Sequence, residues 1–99
     1  MQVLKDGVAG VDGLDGTGSL TVSPNGQHVY VTGNREDAIA VFRRDKTSGT
    51  LTFEQVLKSG GGEGVEGLES PQWVAVSPDG EHLYVACWRG TLVVFSAPS

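Results

Sequence analysis

Cysteine occurs once in these 99 residues, at Cys87, which excludes an internal disulfide and falls short of the roughly four ligands of a structural zinc site. Cationic side chains are also scarce. Seven Lys and Arg against twelve Asp and Glu leave a net charge of −5, so no basic surface is expected and nucleic acid is not an expected partner. Long apolar runs are missing. The longest, Thr91 to Phe95, is far below the ~20 residues that cross a bilayer, and the N-terminus lacks the basic-then-apolar pattern of a signal peptide. Neither a membrane partner nor an export leader is expected. Only 38% of residues are hydrophobic, and a chain of this size buries only about 60–70% of its unfolded surface. A lone monomer would have a thin stability margin. Glycine, by contrast, is plentiful: 15 residues, about twice the usual share of ~7%. Each interior Gly costs a helix about 1 kcal/mol relative to Ala, which excludes a helical bundle.

The dominant feature is an internal repeat. Gln2-Val3-Leu4-Lys5 returns as Gln55-Val56-Leu57-Lys58, 53 positions on, and Val11-Asp12-Gly13-Leu14-Asp15 returns as Val65-Glu66-Gly67-Leu68-Glu69, 54 positions on. The match continues at 54 from Val22-Ser23-Pro24-Asn25-Gly26 to Val76-Ser77-Pro78-Asp79-Gly80, then resumes at 53 where Ile39-Ala40-Val41-Phe42 answers Leu92-Val93-Val94-Phe95. The chain is two copies of one unit of about 53 residues, repeat 1 over about 2–54 and repeat 2 over about 55–99.

Within each unit, short β-branched and aromatic stretches alternate with turn signals. Ser-Pro-Asn-Gly and Ser-Pro-Asp-Gly supply a proline that presets φ and a glycine that takes the positive φ of the last turn position. This punctuation predicts strands at 19–23, 28–33, 38–44 and 51–58, and at 73–76, 82–86 and 91–95. Consecutive apolar residues, as in Val29-Tyr30-Val31 and Leu92-Val93-Val94-Phe95, predict burial on both sheet faces. The expected fold class is all-β: four antiparallel strands per repeat, sandwiched between neighbours, as in a β-propeller blade.

The run from Val76 to Ala86, with Val41-Phe42-Arg43-Arg44-Asp45 and Thr47-Ser48-Gly49-Thr50-Leu51-Thr52, resembles the repeats of the lactonase-like β-propeller family and its YVTN-type relatives. The resemblance implies architecture, because these motifs encode a turn and a buried strand rather than chemistry. Propellers carry about 4–8 blades. Two units leave sheet faces open, and the repeat boundaries are offset from the chain ends, so Met1 to Lys5 matches an outer strand and the second unit stops after its third. The expectation is head-to-tail self-assembly of a non-enzymatic scaffold or binding unit. Gln2, Val3, Leu4 and Lys5 of one copy would complete the edge formed by Leu92, Val93, Val94 and Phe95 of the next. A homo-trimer or homo-tetramer would give six or eight blades. The alternative implied by the resemblance is a hydrolase acting on a cyclic ester at the propeller centre.

Residues that carry chemistry elsewhere have plainer expected roles here. His28 and His82 flank tight turns and are expected at the solvent surface rather than on a metal. Asp12, Asp15, Glu63, Glu66 and Glu69 lie in glycine-rich loops, where they solvate the loop or form a weak cation or ligand site; Leu14 and Leu68 would plug those loops onto the blades. Ser23 and Ser77 precede proline in turns and are read as structural. Cys87 is read as a partly buried small hydrophobe. Trp73, Trp88 and Arg89 depart from the repeat and are expected to pack between blades, with Trp88, Arg89, Glu66 and Glu69 the candidate binding residues if exposed. Gly60-Gly61-Gly62 lacks Rossmann spacing. No catalytic group, metal or cofactor is assigned.

Overall fold

The computed structural model describes residues 2–5, 7, 8, 10, 11, 14–35, 37–58, 70–88 and 90–97. Seven strands follow one another: β1 (Thr17–Val22), β2 (His28–Gly33), β3 (Ala38–Arg44), β4 (Leu51–Lys58), β5 (Pro71–Val76), β6 (His82–Cys87) and β7 (Leu92–Ser96). They form a four-stranded antiparallel sheet in the order β1-β2-β3-β4 and a three-stranded one in the order β5-β6-β7. These are blades, and the strands fall within two residues of the positions the turn signals predict.

The two Ser-Pro turns are built alike. In the first, the Gly26 amide donates to the Ser23 carbonyl and the Ser23 amide to the His28 carbonyl, both at 2.9 Å; in the second, Gly80 and Ser77 repeat this with Ser77 and His82. Gly26 and Gly80 sit at φ 74° and 76°, a region where a side chain would be strained. Each serine hydroxyl also accepts the amide of the next strand's first residue, His28 or His82, at 3.1 Å. Ser23 and Ser77 are therefore structural, as expected. Another tie joins the blades: Asp37, at φ 54°, accepts the Ser70 amide on its Oδ1 at 2.7 Å.

Period-2 alternation gives each sheet two faces. On the first sheet, Tyr30, Ile39 and Val41 form one face, called here the rear, while Val29, Val31, Ala40 and Phe42 form the front. The rear packs on the front of the second sheet, where Val74, Leu83, Val85 and Cys87 are buried and Val76, Val93 and Phe95 close the margin. This inter-blade layer is the main core. The front of the first sheet carries a second cluster, covered by Leu4, Val11 and Leu14 and braced by the edge-to-face rings of Phe42 and Phe53, 5.7 Å apart.

Burial on both faces holds for the first sheet, where β2 is buried throughout and β3 through its first five residues. It fails for the second. Strand β6 alternates and β7 is half-buried at best, leaving Tyr84, Leu92 and Val94 exposed on the rear. The physical reason is that no sheet covers that rear face among the described residues.

Candidate functional site

Two apolar surfaces are exposed among the described residues: the rear of the second sheet and the β1 margin of the first sheet's front. The rear of the second sheet presents Trp73, Ala75, Tyr84, Ala86, Leu92 and Val94. Trp73 and Leu92 are 66% and 67% exposed. On the front of the first sheet, register places Leu20 beside Val31 and Val22 beside Val29, and Leu20 is 64% exposed. The strand β7 edge has no partner strand among the described residues. Contiguous exposed apolar surface is a common feature of interaction sites, and an open edge invites another strand.

Residues 2–5 belong to no strand and do not touch Leu92, Val93, Val94 or Phe95 through any hydrogen bond among the described residues. They lie on the front of their own first sheet. The Gln2 side chain clasps Leu51, donating to its carbonyl at 2.8 Å and accepting its amide at 2.7 Å. Leu4 packs into the front cluster, while Val3 and Lys5 are exposed. This placement mirrors the repeat. Leu57, the counterpart of Leu4, belongs to β4, pairs with Ile39, and packs into the inter-blade core formed with the second sheet's front.

A polar cluster that the sequence does not announce sits at the turn end of the first sheet. Between Val41 and Phe42 the β3–β4 register slips, with Val41 opposite Gln55 and Phe42 opposite Phe53, so Glu54 is the extra residue of a bulge. Bulges re-aim side chains. The Glu54 carboxylate reaches Nε2 of His28 at 3.1 Å and the Arg43 guanidinium at 3.3 Å. The His28 contact is an ion-pair distance without hydrogen-bond geometry. His28 is only 3% exposed, which corrects the expectation that it lies at the solvent surface: the bulge brings Glu54 over it and Tyr30 stacks alongside, ring centroids 6.2 Å apart. His82 has the half-buried setting instead. Burial first, and Glu54 second, push the Tyr30 phenol above its ordinary range. A shallow cavity of about 360 Å³ beside this cluster is lined by Gln27, His28, Arg43, Arg44 and Lys46. Its lining is polar and largely cationic, so the chemistry on offer is charge pairing.

Of the other candidates, Trp88 is 73% exposed, and Trp73 is likewise outside the inter-blade core. Within the single chain neither packs between the two blades: Trp88 stands in the loop after β6, and Trp73 points to the open rear. Arg89, Glu66 and Glu69, with Asp12, Glu63 and Leu68, lie outside the described residues. Leu14 packs on the front cluster as a plug, and Cys87 is buried in the core. Asp79, Glu81 and His82 bring ligand-capable atoms within 4.8 Å of one another. The Asp79 carboxylate is already engaged there, accepting the Ser77 hydroxyl and, at 2.9 Å, the Glu81 amide.

Three solved structures share this fold. Hydrazine synthase from Kuenenia stuttgartiensis matches 95% of the chain at 21% identity and a TM-score of 0.61. A Lactobacillus plantarum protein matches 88% at 22% identity and 0.59, and a Bacteroides uniformis protein named "putative 6-phosphogluconolactonase" matches 91% at 24% and 0.62. At such identities the likeness is one of fold. The chain spans 24%, 28% and 29% of the length of these proteins, respectively. A search of curated protein sequences finds no match. The family model described as lactonase, seven-bladed β-propeller, matches residues 1–64, which takes in all of the first blade and the segment laid across its front; the chain belongs to that family.

Proposed function

We propose that this chain is a two-blade propeller unit whose activity is head-to-tail self-association, rear face to front face, into a closed ring. The observation that carries the reading is the equivalence of its used and unused faces. Inside the chain a rear built on Tyr30, Ile39 and Val41 packs on a front built on Val74, Leu83 and Val85. The open rear carries their repeat counterparts Tyr84, Leu92 and Val94, and the front of the first sheet carries Leu20, Val29 and Val31, the counterparts of Val74, Leu83 and Val85, with Leu20 exposed and the two valines beneath Leu4, Val11 and Leu14. A second copy presented rear to front repeats an interface the chain already makes. Such heterologous contacts close into rings when the rotation permits.

Residues 2–5 fit the same scheme. Ile39 pairs with Leu57 in the first blade, and one repeat along, the corresponding pair is Leu92 with Leu4. Because Leu4 already rests on the front face, an arriving copy's β7 edge would meet it there, and residues 2–5 would serve as the fourth strand of the neighbour's second blade. Two blades per copy give even rings, three copies for six blades or four for eight. Native mass spectrometry and sedimentation test this: a trimer or tetramer is expected, and a folded monomer at all concentrations overturns it.

Family membership supports a second reading, hydrolysis of a cyclic ester by the assembled propeller, with no catalytic residue assigned. Lactone hydrolysis above background, assayed with and without divalent cations, would support that reading; background rates for the assembled protein would remove it.

A further inference from the structure

The repeat equivalence has one conspicuous exception on the rear faces, at Trp73, whose counterpart in the first blade is Ser19. Ser19 stands on the innermost strand β1 at the junction of the two blades. Its Oγ accepts the Val74 amide at 3.5 Å, and a Cβ on neighbouring Gly18 would lie 3.8 Å from the Gln72 carbonyl. Positions 18 and 19 of one blade therefore lie against positions 72 and 74 of the next, respectively. One repeat along, position 73 would abut position 20 of a blade presented in the same way.

At those positions the open front has a hollow. A shallow cavity of about 230 Å³ is lined by Thr17, Gly18, Ser19, Leu20 and Val31. The counterparts of its apolar walls in the second blade, Val74 and Val85, are sealed under the first blade at 2% and 0% exposure. On the front of the first blade Val31 lies within the front cluster, while Leu20 is 64% exposed.

The geometry points to Trp73 as the anchor of the inter-copy interface, its indole seated in the Thr17–Gly18–Ser19–Leu20–Val31 hollow of a second copy. This rests on the rear-to-front association proposed above and deepens it by assigning the residue that makes the inter-copy junction differ from the intra-chain one. A serine hydroxyl suffices where the linker between β4 and β5 holds two blades together. Between separate copies, the rotational and translational cost of association must be met by the contact itself, and a tryptophan buried in a pocket near the centre of an interface is the kind of residue that meets it. The lining of the hollow is uncharged, so an indole meets no buried charge there.

The test uses the full chain with Trp88→Phe, leaving Trp73 as the one indole. Association followed by sedimentation should bring a blue shift of Trp73 emission that tracks oligomer formation. Trp73→Ala and, on the other partner, Leu20→Glu should each weaken association about tenfold or more while circular dichroism of the dilute protein is unchanged, since both side chains are exposed in the single chain. If the chain assembles with Trp73 emission unshifted and Trp73→Ala assembles equally well, the anchor is wrong while the ring stands. If no oligomer forms in the parent protein, rear-to-front association itself is wrong and the anchor falls with it.

Discussion

Ser77 and Ser23 hold matching turns with one chemical difference, and that difference makes one turn sensitive to acid. The Ser77 hydroxyl donates to a carboxylate, Asp79, whereas Ser23 donates to the amide oxygen of Asn25 at 2.6 Å. The Ser77 hydroxyl first, then the Glu81 N–H, hold the Asp79 carboxyl below its ordinary range, because both favour the charged form. A carboxyl lowered by folding contributes stability that is in place above its unfolded value of about 3.9 and is lost as pH falls through the lower folded value. The second turn should therefore loosen in acid below pH ~4 while the first, with no titrating group in that place, holds. Carboxyl chemical shifts followed by NMR should place the Asp79 midpoint below that of an ordinary aspartate. Ser77→Ala should move it back up; an unchanged midpoint in the variant would show that the hydroxyl is not the cause.

At the scale of elements, the inter-blade layer and the open rear are built from the same residue types but do different work. Leu83 is fully buried between the sheets, so Leu83→Ala should cost about 2–5 kcal/mol in urea unfolding. Val94, on the same sheet but the opposite face and 55% exposed, should tolerate Val94→Lys with a stability change within about 0.5 kcal/mol while association is lost. A Val94→Lys protein that unfolds as readily as Leu83→Ala would mean that the rear is part of the folding core of a single chain. That contrast also marks where sequence reading stops. Strands β1 to β7 were legible because Pro, Gly and β-branched residues act locally, and Ser23 and Ser77 because their partners lie within five residues. Tyr30 and Tyr84 occupy identical places in their repeats, yet one is sealed and the other exposed. The pattern along a strand records which side is apolar, and what covers that side is decided by another sheet. His28 escaped for a related reason: its burial depends on a bulge at Glu54, far along the chain, and no composition cue marks it.

For the whole molecule, charge and apolar surface act against each other. Each copy carries −5 at pH 7, so copies approaching one another repel. The exposed side chains proposed to meet are mainly apolar, Trp73, Tyr84, Leu92 and Val94 on one side and Leu20 and Val22 on the other, with Lys5 as a charge at the margin. Salt then has repulsion between copies to screen and no inter-face ion pair to weaken. The Debye length falls from about 30 Å at 0.01 M to about 8 Å at 0.15 M, so rear-to-front association should tighten over that range, read as a lower midpoint concentration in sedimentation. The opposite slope, association that weakens as salt is added, would mean that complementary charges meet at the interface. In this chain the cationic rim of Arg43, Arg44 and Lys46 would then be the place to look, and the apolar faces would not be what brings copies together.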